Sequence, residues 1–190
     1  MCYTFPMQIR QTTEELIAAS FMELAETKPI DKITVREIAS NCGISTVTFY
    51  NHFRDKYELL VWIYVNQAVN IMKKIGTDGY NWRDTIYDVV NFFFENRNFL
   101  LNALRHTSGH DSFVSRMEKI NIGILTAEVK KSLGSKPLTT ELDYDLRIYC
   151  YGTMQVLFDW LTSENSIPPD DIARIMEKSL PPPLAPYLGG

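Results

Sequence analysis

Three cysteines, three histidines and a shortage of basic charge set the first limits on this chain of 190 residues. Cys2, Cys42 and Cys150 are odd in number and far apart, which rules out a disulfide scaffold and suits reduced thiols in a cytoplasm. No apolar run approaches the roughly 18 residues of a membrane span, and the opening MCYTFPMQIR has no long apolar core of a secretory signal. The sequence therefore predicts a cytoplasmic protein with no membrane partner. P-loop, GxSxG, HExxH and CxxC patterns are all missing, so neither an enzyme nor a bound cofactor is expected. His106 and His110 are spaced for one helix face. Ser108 and Gly109 between them argue for a loop, however, and only Asp111 stands near as a third ligand, so no metal site is expected.

Charge excludes a strongly cationic nucleic-acid binder: the net charge is -4. Within residues 1–60 the basic side chains, Arg10, Lys28, Lys32, Arg36, Arg54 and Lys56, are outnumbered by acids. Five of them cluster around predicted turns and helix ends, and the acids of the first helix are expected to face away. Few phosphate contacts for one head, and a need for two heads, follow.

What is present is apolar and helical. The 45% hydrophobic and 12% aromatic content suffices for a packed core in one or two domains. Residues 33–56, ITVREIASNCGISTVTFYNHFRDK, carry the clearest pattern. Thr34 caps a short helix, with Glu37 three residues on completing a capping box. Val35, Ile38, Ala39 and Cys42 mark one apolar face, and Ala39 is small enough for a crossing helix to approach. Gly43 suits a left-handed C-cap, Ile44 plugs inward and Ser45 caps the next helix. Phe49 and Phe53 share the inward face of that second helix. This is a helix-turn-helix, in which one helix supports and the next enters the major groove of DNA.

The outward face then carries Ser45, Thr46, Thr48, Asn51 and His52, short donors and acceptors suited to base edges or phosphate oxygens. Val47 can meet a thymine methyl group, and Tyr50 offers a phenol to a phosphate. Thr34, Arg36 and Lys56 stand where they can reach the DNA backbone. His52 is open to either a packed structural role or a phosphate contact.

The pattern T-V-R-E-I-A (Thr34–Ala39), G-I-S (Gly43–Ser45), T-F-Y (Thr48–Tyr50), His52, Phe53, Lys56 and Leu59 resembles the DNA-binding signature of TetR-type transcriptional regulators. With the preceding helix it covers roughly a third of the chain. Within that family, the stretch YGTMQVLFDWL and the overall size are similar to regulators of dihydroxyacetone kinase operons. The resemblance implies an all-α homodimer with an N-terminal three-helix DNA-binding domain and a larger C-terminal domain. It also implies repression of a double-stranded DNA operator, relieved by an unidentified small-molecule effector. A helix-turn-helix kept as a module for a co-regulator protein is the alternative.

The domain boundaries expected are 1–55 for DNA binding and 56–190 for effector binding and dimerisation, with about nine helices in all. The first spans residues 7–27, with Ile9, Leu16, Ile17, Phe21 and Leu24 on one face. A long fourth helix, 56–75, links the two parts. Later helices span 82–95, a shorter one after the interruption at Asn96, Arg97 and Asn98 to about 105, then 112–132, 139–162 and 168–179, and the tail PPPLAPYLGG reads as an extended surface arm. Tyr149, Gly152, Thr153, Val156, Leu157 and Trp160, with Ile172, Ile175 and Met176, form stripes expected at a two-fold interface. Tyr87, Phe92, Phe93, Phe94, Phe99, Met117, Ile120 and Tyr149 are the candidates for an apolar effector pocket, although ordinary core explains each of them singly. Consecutive Phe92, Phe93 and Phe94 point three ways on a helix, so at most two can face one cavity.

Overall fold

A computed structural model describes residues 11–72, 74–75, 77–107, 112–164 and 167–188. Among these the chain is wholly helical, with α1 (Thr13–Ala25), a 3-10 turn (Ile30–Lys32), α2 (Val35–Asn41), α3 (Thr46–His52) and α4 (Lys56–Met72) in the first part. Then come α5 (Trp82–Glu95), α6 (Arg97–Arg105), α7 (Phe113–Leu133), α8 (Thr140–Thr162), α9 (Pro169–Lys178) and α10 (Ala185–Leu188). The chain divides into two compact units, Met1–Leu59 and Leu60–Gly190, and α4 carries the backbone from one to the other.

Capping chemistry fixes several starts. α1 begins at Thr13 and not at residue 7, because Thr12 and Glu15 form a capping box: the Thr12 amide donates to Glu15 Oε2 at 2.8 Å and the Glu15 amide donates to Thr12 Oγ1 at 3.2 Å. Asn81 and Asp84 do the same for α5. α2 ends at Gly43, whose φ of 72° needs the left-handed region, and the Ile44 amide then donates to the Ala39 carbonyl at 2.9 Å.

The core of the first unit is Ile17, Phe21, Ile30, Ile33, Ile38, Phe49 and Phe53. The buried stripe of α1 runs through Ile17, Ala18, Phe21 and Ala25, and Leu16 is exposed. That rotation lets Ser20 pack inward and donate to the Ile38 carbonyl at 2.8 Å, a buried polar tie from α1 to α2.

In the second unit α5 packs on α9 and α7 on α8. Tyr64, Phe93 and Phe113 meet edge-on at the centre, with ring centroids 6.4 Å and 6.1 Å from Tyr64. The tail is not an extended arm. Its α10 lies against α7, with Leu184 and Leu188 buried, and this is the helix that the expected nine leave out. Pro181 starts the turn by accepting from the amides of Leu184 and Ala185, so the proline run is followed by helix because its carbonyls remain good acceptors.

Candidate nucleic-acid interface and ligand cavity

α3 is held from one side and open on the other. Ser45 accepts from the Thr48 amide at 3.0 Å and its hydroxyl meets that of Thr48 at 2.9 Å, which fixes the first turn. Phe49 and Phe53 sink into the core, and the Phe49 ring meets Tyr50 edge-on at 5.6 Å. On the outer side Val47 is 68% exposed and Tyr50 58%. Asn51 and His52 are exposed beside them, and Thr46 and Thr48 are half-buried. Two large side chains one turn apart are thus presented to solvent by a helix whose other face cannot turn.

α2 keeps α3 at a fixed approach. Ala39 is buried at the crossing, and Asn41 Nδ2 donates to Ser20 Oγ at 3.2 Å and Glu23 Oε2 at 2.9 Å. Thr34 and Glu37 form the expected capping box, so the Thr34 hydroxyl is already engaged. Lys28 donates to Glu37 at 2.6 Å. That bond, with those from the Thr34 backbone and hydroxyl, pulls the Glu37 carboxyl down to about 2.

One basic residue and one acid differ from expectation. Lys56, placed by its sequence position against a phosphate, turns inward and donates to the carbonyls of Ile30, Asp31 and Ile33 at 2.8, 2.8 and 2.6 Å. An ammonium has three protons, and all three are taken. Burial pulls its pKa down, opposed by the negative charges of Asp31 and Glu37. His52 does not stand alone either: its Nδ1 lies 2.9 Å from Glu14 Oε1, so one acid of the first helix faces α3 instead of turning away. Glu14 is held below the usual carboxylate range by a backbone hydrogen bond first and by His52 next. Arg36, Lys32 and Arg54 are exposed cations on this unit. Cys42 is only half-buried, its thiol directed at the Ile38 carbonyl at 3.2 Å.

In the second unit, residues of α4, α5, α7, α8 and α9 surround a cavity of about 80 Å³. Of the expected pocket residues, Phe92, Phe93 and Tyr149 line it. Met117 and Phe99 are buried elsewhere, Ile120 lies outside the lining, and Tyr87 sits under the Arg83 guanidinium at 5.5 Å. Phe94 is exposed and stacks near Trp160 at 6.2 Å. The lining also includes Tyr64, Trp82, Asn121 and Cys150, which the sequence reading missed. A signal for Tyr64 was available, since Leu60, Tyr64, Ala68 and Ile71 recur on one face of α4. Tyr64 donates to Asn121 Oδ1 at 2.6 Å, and the Trp82 indole donates to the Tyr149 oxygen at 3.1 Å. Burial pushes the Tyr149 phenol and the Cys150 thiol each up to about 12, so both are neutral near pH 7.

The stripe expected at a two-fold interface divides in two. Trp160, Ile172 and Met176 are buried in the chain's own interior, and the Trp160 indole donates to the Ile167 carbonyl at 2.7 Å. Gly152, Val156 and Ile175 stay exposed and, with Ile148 (67% exposed), edge a groove of about 280 Å³ between α8 and α9. His106 lies exposed at the end of α6; His110 and Asp111 fall outside the described residues. Among the described residues no helix is long and apolar enough to cross a membrane.

Comparison with known proteins places this geometry in context. Residues 14–62 match the family described as bacterial regulatory proteins, tetR family, and residues 80–181 match the transcriptional regulator C-terminal region. The HTH-type dhaKLM operon transcriptional activator DhaS of Lactococcus lactis subsp. lactis (strain IL1403) is 30% identical over 87 residues, 46% of each chain. The match therefore spans under half the length of that relative. Among solved structures, the dihydroxyacetone kinase operon activator DhaS superposes with a TM-score of 0.65 at 19% identity, over 88% of this chain and 96% of that one. A TetR transcriptional regulator from Rhodococcus sp. RHA1 gives 0.59 at 16%, over 86% and 91%. Thermus thermophilus FadR, a repressor in complex with lauroyl-CoA, gives 0.56 at 15%, over 88% and 92%. At these identities the structural likeness is one of fold.

Proposed function

The chain belongs to the tetR family of bacterial regulatory proteins, and from that premise we propose that it is a sequence-specific DNA-binding regulator, acting as a cytoplasmic homodimer, whose hold on its operator answers to a small ligand. Residues 1–55 are the reading domain and residues 56–190 the effector-binding and dimerisation domain. It has no catalytic role in this reading.

One observation carries the proposal: Val47 and Tyr50 are exposed one turn apart on a helix whose opposite face is locked by Phe49 and Phe53. A rigid helix with such a face fits the major groove, with Val47 against a thymine methyl and Thr46, Thr48 and Asn51 within reach of base edges. Ser45, Tyr50 and Arg36 serve the backbone, while Thr34, its hydroxyl and amide both held by Glu37, sets the start of α2. His52, in its protonated form, donates from Nδ1 to Glu14 and keeps the Nε2 proton for a phosphate. Lys56 acts indirectly, by holding the turn before α2. Two heads are required because the exposed cations of one are few. The exposed row Ile148, Gly152, Val156 and Ile175 supports pairing of two copies along α8 and α9.

Repression relieved by the ligand is the sign we assign. Activation is the second reading, favoured by the similarity to DhaS, an operon activator, in both sequence and fold. Selection from random duplex oligonucleotides tests the DNA reading, and a reporter promoter carrying the selected site tests the sign. A pool showing no enrichment, with the protein folded and dimeric, refutes the first; a rise in transcription when the protein is added replaces repression with activation.

A further inference from the structure

The cavity among α4, α5, α7, α8 and α9 is informative in what lines it. Among the described residues none of its walls is Asp, Glu, Lys, Arg or His. Tyr149 and Cys150 are neutral near pH 7 at their ordinary values, and burial disfavours their ionised forms further. An ionised ligand would lose its hydration here and find no counter-charge.

Two donors are nonetheless underused. An indole N–H only donates, so in the Trp82–Tyr149 pair the Tyr149 oxygen accepts and its own proton remains for another acceptor. Asn121 accepts from Tyr64 through Oδ1 and directs Nδ2 at the Met154 sulfur, 2.9 Å away. A thioether is a weak acceptor, which an oxygen would readily replace. The volume of about 80 Å³ is also small. A cavity near 150 Å³ takes benzene, so this one holds roughly three to five non-hydrogen atoms.

We propose that this cavity takes a small uncharged molecule, mostly apolar, with a carbonyl or hydroxyl oxygen that accepts from Tyr149 and Asn121. The proposal rests on the ligand-responsive reading above and gives its ligand a chemical class. A ligand of so few atoms binds no tighter than the micromolar range.

The test uses the full chain with four probes of matched size: 2-butanone, 1-butanol, propanoate and butylammonium. Saturation-transfer NMR reads binding, and gel shift on the selected operator reads the response. Binding of both neutral probes and of neither ion is expected. Ala68→Leu and Val89→Phe each fill the lining and should abolish binding, and either suffices if the other fails to fold. Tyr149→Phe should weaken 2-butanone by about fivefold, the worth of one neutral hydrogen bond. Ions binding as well as the neutral probes, no neutral probe binding, or binding that survives both filled variants overturns the proposal. Neutral probes that bind but leave operator affinity unchanged uphold the cavity's chemistry and sink the ligand-responsive reading. A charged effector that releases the operator while neutral probes stay unbound sinks this proposal alone.

Discussion

Replacing Lys56 by Met separates a structural lysine from a phosphate ligand. Methionine keeps an apolar stem of similar reach and deletes the ammonium. In the wild type that ammonium satisfies three carbonyls of the turn before α2, from Ile30, Asp31 and Ile33. The Ile30 and Ile33 bonds are partly buried, so losing each costs about 1 kcal/mol, while the Asp31 carbonyl at the surface turns to water at little cost. The expected loss is about 2 kcal/mol. With a urea slope of about 2 kcal/mol per molar, the midpoint of the transition reporting on the helix-turn-helix unit falls by about 1 M. Urea titration followed by circular dichroism measures it. In gel shifts on the selected operator, the slope of log affinity against log salt should stay as in the wild type. A lysine that neutralised a phosphate would instead lower that slope by about 0.9 and leave the midpoint alone. That pair of results would refute the reasoning, because it would mean the ammonium leaves the carbonyls for DNA.

Three further outcomes are expected. Glu37 is held to about 2 from an ordinary value of 4.5, so its contribution is fully present above pH 4.5 and fades as pH falls toward 2. Urea midpoints at pH 5 and pH 3 should therefore converge for Glu37→Gln relative to wild type, and an unchanged acid dependence would show the capping box carries none of it. Val47→Ala should cost about 1 kcal/mol at one base pair and little elsewhere, whereas Arg36→Ala should weaken all sequences alike and flatten the salt slope by about 0.9; selection and titration on single-substituted operators distinguish them. Ile148→Asp with Val156→Asp should yield monomers in sedimentation velocity, and a persisting dimer would move the interface off this face.

The helix-turn-helix could be read from sequence because its signals are local. Thr34, Glu37, Gly43 and Ser45 act within three or four residues of themselves, and Phe49 with Phe53 declares its buried side by spacing alone. The fate of Lys56 was not readable, since its partners lie on a turn more than twenty residues back that only the folded unit brings close. Periodicity likewise marks α8 and α9 as apolar but not which apolar residues serve the chain itself. Trp160, Ile172 and Met176 went inward, and Ile148, Val156 and Ile175 did not. For the cavity, aromatic density led to α5, where Phe92 and Phe93 line it. It overlooked Asn121 and Cys150, whose place depends on how α7 and α8 meet.

The proline-rich end has a practical side. Its two leucines cover apolar ground on α7, so trimming the protein before Leu184 as though the segment were a spacer would strip a lid from that helix and leave a sticky seam. Affinity handles and fusions should be joined beyond Leu188, so that both leucines stay in place.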